Sequence, residues 1–349
     1  MSECDQLKAK LARGEPVTEM ALAGSSLAGL TLKRGIFSEC DFTGCDFAGA
    51  DLQESSFIDC RLDGARFGEA NLRLATFHRA TLKQAGFAAA RLVGTTFNET
   101  LLEAAVFDGA DMEFAILVKC RLESSRCHGA KLVQASFVEC AFGSVALDEA
   151  RFAKTVFYKA DLKQVRFVKA GGDQCVFAEC DMGGMDFTAA AWTRSQFMDA
   201  DLSGAKFAGA RLSGSNFKGA KLAGADFRGI EGRHTLWIGA RVDGACFDEA
   251  RLGQSIWLEA EGEQASFRKA ELVESVLHKA RFTRCSFEGA SVRHVDLAHA
   301  ELTGSRFVSC DMHRAGLRGV RAEGAEMPNR GQAAPDDEDT LKAENWRPA

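Results

Sequence analysis

Residues 200–229 read ADLSGAKFAGARLSGSNFKGAKLAGADFRG, and every fifth position holds a large apolar residue. These residues are Leu202, Phe207, Leu212, Phe217, Leu222 and Phe227. A small residue, Ala or Ser, lies two positions before each of them. Helical side chains share a face every 3.6 residues and strand side chains every 2, so a period of five fits neither. The stretch therefore predicts a repeat architecture whose unit is the pentad.

The period of five continues far beyond this stretch without an insertion or deletion. The central residue of each pentad has a number ending in 2 or 7, from Leu22 to Met327. The position two before it is mostly Ala, Ser, Cys or Thr, and the position just before it is often Asp, Asn or Arg. Examples are Ala50-Asp51-Leu52, Ala70-Asn71-Leu72 and Ala160-Asp161-Leu162.

This pattern resembles the pentapeptide-repeat family, whose consensus is A(D/N)LXX. The resemblance implies an all-β fold, a right-handed quadrilateral β-helix with four pentads in each coil and about 15 coils here. The extent of the repeat and the composition of its ends predict three parts: an N-terminal helical cap at 1–19, the β-helix at 20–327 and an acidic, flexible C-terminal tail at 328–349. Opposite faces of a four-sided coil lie ten residues apart. Phe, which dominates centres ending in 7, should therefore stack on two opposite faces, and Leu on the other two.

The ends of the repeat carry their own signals. All four prolines lie outside it, as expected where a ladder hydrogen bond would be lost. Residues 2–13 predict a short helix with Ser2 as N-cap and with Leu7 and Leu11 facing inward, capping the first coil. After Met327 comes an acidic run at 336–339. That composition is typical of a flexible tail.

No motif for catalysis, cofactor binding or metal binding is visible. Nine of the twelve cysteines occupy the small inward position, where Cys serves as a small apolar filler; they are Cys40, Cys45, Cys60, Cys120, Cys140, Cys175, Cys180, Cys285 and Cys310. The histidines are scattered over outward positions. We therefore predict that the chain is not an enzyme and uses no cofactor.

Charge and hydropathy limit the kinds of partner that the chain can bind. The net charge is -6, which argues against direct binding of nucleic acid through its phosphates. The N-terminus lacks an apolar secretion signal, and no apolar run is long enough to span a membrane. These features predict a cytoplasmic location, although export by a route that needs no such signal stays open.

One face departs from the polar exterior of the other three. Beside its centres, 20 residues apart, lie outward positions that are apolar, a set called the apolar stripe; it comprises Val156, Tyr158, Val176, Met198, Leu236, Ile238, Ile256, Leu258 and Val276, with Ile116, Val118 and Val138 before them. A contiguous exposed apolar surface usually marks a contact. The predicted occupant is a second copy in a homodimer, another protein, or the chain's own tail through Leu341 and Trp346. The alternative is that Val and Ile merely suit a flat sheet.

Three functions follow from these features. The first is a non-catalytic rod-shaped scaffold or protein-binding module that acts through its outer faces. A special case, by analogy with the family, is an accessory of a bacterial secretion system. The alternative that the resemblance implies is a DNA mimic that binds DNA gyrase and protects it from fluoroquinolones. Charge columns such as Arg211, Glu231, Arg251 and Glu271 alternate in sign, which argues against that alternative.

Overall fold

A computed structural model describes residues 3–335 of the chain. The described residues divide into two compact units, 3–181 and 182–335. Each unit is a parallel β-solenoid in which residues 20 apart pair in register, as Phe37 does with Phe57 and Leu236 with Ile256. Four pentads therefore make one coil, and the predicted all-β repeat fold is confirmed.

Unit 1 begins with helix α1 (Glu3–Ala12) and continues as short strands. Its main sheet has nine parallel strands in the order β1-β2-β3-β4-β5-β6-β7-β9-β11. They are β1 Val17–Thr18, β2 Ile36–Ser38, β3 Ser56–Ile58, β4 Thr76–His78, β5 Thr96–Asn98, β6 Ile116–Val118, β7 Ser136–Val138, β9 Val156–Tyr158 and β11 Val176–Ala178. On another face, β8 (Arg151–Ala153) pairs with β10 (Gly171–Asp173). The ladder thus starts at Val17, one pentad before the first centre counted in the sequence.

Unit 2 is built mainly from single-residue bridges. Its strands are β12 (Trp192–Thr193), β13 (Glu261–Glu263) and β14 (Arg281–Thr283), and β13 pairs with β14. A short 3₁₀ turn, Arg330–Gln332, follows the last coil. Residues on either side of each bridge are turns, because the chain changes direction at every pentad.

The core consists of stacked rings, as the sequence predicts. In unit 1, Phe67 stacks on Phe87 at 4.8 Å between ring centroids, and Phe77 stacks on Phe97 at 5.0 Å. These two columns belong to opposite faces and meet edge to face, with 6.3 Å between the Phe67 and Phe77 centroids. Both geometries are favourable for aromatic pairs. The small residues between them leave room for this filling at native packing density.

Several buried hydroxyls at the small inward position donate to the backbone, although Ser125 Oγ has no hydrogen-bond partner in the described range. Thr95 Oγ1 donates to the Leu72 carbonyl at 2.8 Å, and Ser215 Oγ donates to the Trp192 carbonyl at 2.7 Å. In each case the acceptor lies 23 residues earlier, in the preceding coil. The nine cysteines predicted as core filler are all buried with free thiols, which confirms that prediction. Where this bond forms, a buried hydroxyl costs little, because its partner is the backbone of the coil.

Unit 2 contains one pentad in which large and small residues exchange places. Ile230 stands at the small position and Gly232 at the centre. A Cβ on Gly232 would lie 3.1 Å from both Ile230 Cδ1 and Leu252 Cδ2. The isoleucine therefore fills the volume that the missing central side chain leaves. The bridge from Glu231 to Arg251 persists, so the coil is not interrupted.

The two ends of the solenoid differ from the structure predicted for them from the sequence. Leu7 of α1 is buried, whereas Leu11 is only half-buried, and Ser2 lies outside the described residues. Residues 328–335, predicted to belong to a flexible tail, pack on the last coil: Asn329 Nδ2 donates to the Cys310 carbonyl at 2.8 Å. The acidic run at 336–339, Leu341 and Trp346 lie outside the residues that the structure describes.

Candidate functional site

The apolar stripe falls on a single face within each unit. In unit 1, Val156 pairs with Val176, and Tyr158 lies beyond the buried centre Phe157. In unit 2, Leu236, Ile256 and Val276 follow one another in a bridge ladder. All nine predicted site residues are half-buried, as expected for outward side chains that touch their neighbours in adjacent coils.

The unit-1 patch, as we call it, comprises Ile116, Val118, Val138, Val156, Tyr158 and Val176. Sequence reasoning missed its neighbour Phe114, which is 47% exposed. Phe114 sits at a corner with φ of +59°, a conformation that bulky residues seldom adopt. Phe114 lies at the corner two residues before Ile116, outside the positions that flank a pentad centre. The repeat pattern therefore does not predict that it borders the patch, and the coil geometry shows that it does.

The unit-2 patch comprises Leu236, Ile238, Ile256, Leu258 and Val276, spread over three successive coils. Beneath it lie the fully buried indoles of Trp237 and Trp257. Met198 does not join this patch, because the coil of Asn216 and Lys218 lies between them.

Charged groups bound the unit-2 patch at both ends of the ladder. Lys218 is exposed one coil before Leu236, and Asp296 is exposed one coil after Val276. Asp296 lies 3.9 Å from His278 Nδ1, and Lys218 forms no ion pair with any residue in the described range. Arg233 and Glu274 are exposed at the corners beside the patch. The surface is therefore apolar at its centre and charged at its rim.

Comparison with known proteins places this geometry in a family. A family profile described as "Pentapeptide repeat region" matches residues 30–107 and 141–217. A second, "Pentapeptide repeats (8 copies)", matches residues 245–284 and 285–321. The chain belongs to the pentapeptide-repeat family. No match to this pentapeptide-repeat chain was found among curated proteins.

Several solved structures are similar to this pentapeptide-repeat chain. Full-length QnrB1, a plasmid-mediated fluoroquinolone resistance protein, is 20% identical, with 59% of this chain and 92% of that one covered and a TM-score of 0.32. HetL, involved in heterocyst differentiation regulation in the cyanobacterium Nostoc, is 18% identical, with 90% and 95% covered and a TM-score of 0.16. A thylakoid-lumen protein from Arabidopsis thaliana is 27% identical, with 34% and 67% covered and a TM-score of 0.19.

Reactive groups are scarce on this pentapeptide-repeat fold. Among residues 3–335, no group of three or more His, Cys, Asp or Glu side chains is arranged to hold a metal ion. Burial raises the pKa of Cys45 to about 11 and that of Cys127 to about 12. A hydrogen bond from Cys60 lowers the pKa of Cys40 to about 7, against the effect of burial, yet the Cys40 side chain is only 1% exposed. These thiols are poorly placed as nucleophiles.

Surface depressions in the described part are shallow and open. One of about 310 Å³ is lined by Arg233, Arg251, Glu271 and Glu274. Another of about 390 Å³ lies between α1 and the first coils, beside Leu11 and Leu32. Ligand pockets usually enclose most of their ligand and combine apolar walls with a few polar groups. Neither depression has that form.

The remaining charges form ladders between coils, as the sequence predicts. Arg251 Nη1 lies 3.7 Å from Glu231 Oε1, and Arg281 Nη1 lies 3.3 Å from Glu261 Oε1. Such exposed pairs contribute little to stability. They do place a base between acids along these columns, so neither column is uniformly acidic. No helix in the described part of the chain is long and apolar enough to cross a bilayer.

Proposed function

We propose that this pentapeptide-repeat chain is a non-catalytic scaffold that binds a protein partner, either a different protein or a second copy of itself, through its apolar patches. The unit-2 patch carries this proposal. Five aliphatic side chains stand on the outside of three successive coils, and each is half-buried. Contiguous exposed apolar surface of this kind generally marks a contact site.

The fold itself does not require aliphatic residues at these positions. On the equivalent face of unit 1, Thr76 pairs with Thr96, and His78 pairs with Asn98. In unit 2, Asn216 precedes Leu236 in the same ladder. Polar residues therefore support the same coil, and β-propensity alone does not explain the patch.

The gyrase-binding alternative requires a surface that imitates the phosphates of DNA. The Arg281 guanidinium lies between Glu261 and Glu301, 3.3 and 3.7 Å away. This interleaving of bases with acids argues for the scaffold instead. A cytoplasmic, bacterial setting and a role beside a secretion system are parts of the same proposal that rest on the family resemblance.

A pair of double variants tests the proposal. Ile256→Asp/Leu258→Asp places two charges in the unit-2 patch. Ala208→Asp/Ala223→Asp adds the same two charges on other faces of the same unit. Sedimentation velocity measures self-association, and site-specific crosslinking in the producing cells measures contact with a partner. We expect only the first variant to lose its contacts. If both variants keep the same oligomeric state and the same crosslinked products, the proposal is wrong.

A further inference from the structure

Resting on the proposed function, we infer that residues 336–349 of the same chain fold back over the unit-2 patch, and that a partner must displace them to bind there. Three observations carry this inference: the face on which the described chain ends, the charges beside that point, and the composition of the segment. Residues 336–349 supply an acidic run at 336–339 and then the apolar side chains of Leu341 and Trp346.

The described chain ends on the face that carries the unit-2 patch. One bridge ladder on this face comprises Leu236, Ile256, Val276, Asp296 and Gly316. Each member donates its backbone N–H to the carbonyl just before the previous member, as Gly316 does to Val295 at 2.9 Å. Ala334 donates in the same way to the Ala315 carbonyl at 2.9 Å. It therefore takes the next place in this ladder, so residues 336–349 begin on the patch face.

The segment is long enough to reach the patch. Coils lie about 4.8 Å apart, so Val276 is about 14 Å and Ile256 about 19 Å along the face from the coil of Ala334. An extended chain covers about 3.3 Å per residue, which brings Leu341 up to about 23 Å and Trp346 up to about 40 Å from Ala334. Both side chains can therefore lie on the patch, with length to spare for the turn back.

Basic side chains flank the path from Ala334 to the patch. Asp296 and Glu274 are the acids on this face in the last three coils of the ladder, and they are outnumbered by four bases: the exposed Arg293, Arg314 and Lys279 and the half-buried Arg318. Arg314 and Lys279 form no ion pair with any residue from 3 to 335. The acidic run would bring four carboxylates to this basic stretch as soon as the segment turns back.

The order of the segment matches the order of the surface. Its acidic residues come first and meet the basic coils, and Leu341 and Trp346 come next and meet the apolar patch. Complementary charges fix the register of such a contact. An apolar centre with a charged rim is also the usual anatomy of a specific interface.

The covalent link favours this segment over a separate molecule. A short tether gives an effective concentration of about 1 mM, so a contact with a dissociation constant (Kd) of about 100 µM between separate molecules would be about 90% formed. A partner that binds the same patch then finds only about a tenth of the chains open, and its apparent Kd rises about tenfold. The segment therefore acts as an autoinhibitory cover of the patch.

Fluorescence quenching by acrylamide tests the docking in the full chain. Trp192, Trp237 and Trp257 are fully buried, so an accessible indole reports Trp346. We expect no accessible indole in the parent chain and one in Leu258→Asp, which places a charge in the patch. Ala208→Asp on the opposite face is the matched control and should expose none. The same changes in a Trp346→Phe background check that the three buried indoles stay protected, and hence that each variant is folded.

A charge exchange tests the contact of the acidic run. Arg314→Glu/Lys279→Glu should make Trp346 accessible, because like charges then face the run. Adding Asp337→Lys/Asp339→Lys reverses the charge of the segment and should protect Trp346 again. Protection of Trp346 in the parent chain should not change on dilution. Protection that fades on dilution would place the segment on another copy and contradict the inference.

The remaining outcomes separate this inference from the proposed function. If Trp346 is accessible in the parent chain, or stays protected in Leu258→Asp, docking on the patch is wrong, and the crosslinking of the two double variants decides the proposed function by itself. If Trp346 docks as described but those double variants keep the same oligomeric state and products, the proposed function is wrong and the docking stands. If both hold, Trp346→Ala should raise the yield of crosslinked partner, by up to about tenfold where the partner is limiting. An unchanged yield would show that the segment does not compete with the partner.

Discussion

Trp237 and Trp257 stack face to face under the unit-2 patch, with 4.7 Å between ring centroids and 9° between ring planes. Each indole donates its N–H to the hydroxyl two residues earlier: Trp237 Nε1 to Thr235 Oγ1 at 2.8 Å, and Trp257 Nε1 to Ser255 Oγ at 2.7 Å. The small inward position thus supplies the acceptor that a buried indole needs. The patch rests on two large rings held by directional bonds.

Thr235→Val should destabilise unit 2, because it keeps the volume of the side chain but removes this acceptor. A buried donor left without a partner costs about 1–3 kcal/mol. Thr235 Oγ1 also donates to the Gly232 carbonyl at 2.7 Å, and that bond is lost as well. Thr235→Ser keeps the hydroxyl and is the control. Thermal and urea denaturation measure the difference, and equal stability of the Val and Ser variants would contradict the account.

The exchanged pentad at Ile230 and Gly232 predicts strong non-additivity. Ile230→Ala alone empties a buried site and should cost about 2–5 kcal/mol. Gly232→Leu alone overpacks the same space and should cost about 1–3 kcal/mol. The double variant restores the usual order of small residue and large centre, so it should be more stable than either single variant. Urea denaturation of all four proteins measures the coupling, and simple additivity of the two losses would show that the side chains do not share one space.

Thiol labelling should separate the cysteines by burial. Cys4 and Cys246 are half-buried, and the other ten are buried. We expect two thiols to react rapidly in the folded chain and the remainder only on unfolding. Because burial holds the pKa of Cys45 near 11, its neutral form persists as the pH rises from 7 to 9, and its labelling should stay slow. Mass spectrometry after alkylation at both pH values gives the count; rapid modification of Cys45 at pH 9 would contradict its burial.

The purified chain should leave DNA gyrase unaffected. In columns of the described residues, acids are interleaved with bases, as where Arg321 Nη2 lies 3.5 Å from Glu301 Oε2, and such columns do not imitate a run of phosphates. A supercoiling assay at micromolar protein, with and without a fluoroquinolone, is the measurement. Inhibition of supercoiling or protection from the drug would instead support the DNA-mimic alternative.

Much of the fold follows from the period of five, because every coil must pack the same kinds of residue into the same narrow interior. A large centre and a small residue two before it must share a narrow interior, so the pattern predicts the Phe columns and the buried cysteines directly. The start of the ladder at Val17 was less visible, since its pentad lacks a small residue two before the centre. Ile230 fills the space left by the missing side chain of Gly232. This depends on packing between two positions of the pentad, which the pattern of central residues alone does not show.

The candidate site was only partly predictable. Outward positions beside the centres could be read from numbering, and the structure places Leu236, Ile256 and Val276 in one ladder. Phe114 is not predicted by the pattern, because it occupies a turn corner instead of a strand position. Met198 lies on the same face but is separated from the unit-2 patch by the coil of Asn216 and Lys218. Contiguity depends on every intervening coil.

Photo-crosslinking from one position of the unit-2 patch tests the central claim most directly. A benzophenone amino acid at position 258, within the patch, is compared with the same amino acid at position 208 on the opposite face of unit 2. Both positions follow a buried centre, Trp257 or Phe207, so the probe is presented in the same way. We predict a defined crosslinked product from position 258 alone, at twice the chain's mass if the partner is a second copy. Equal yields from both positions, or no product from position 258 in the producing cells, would contradict the account.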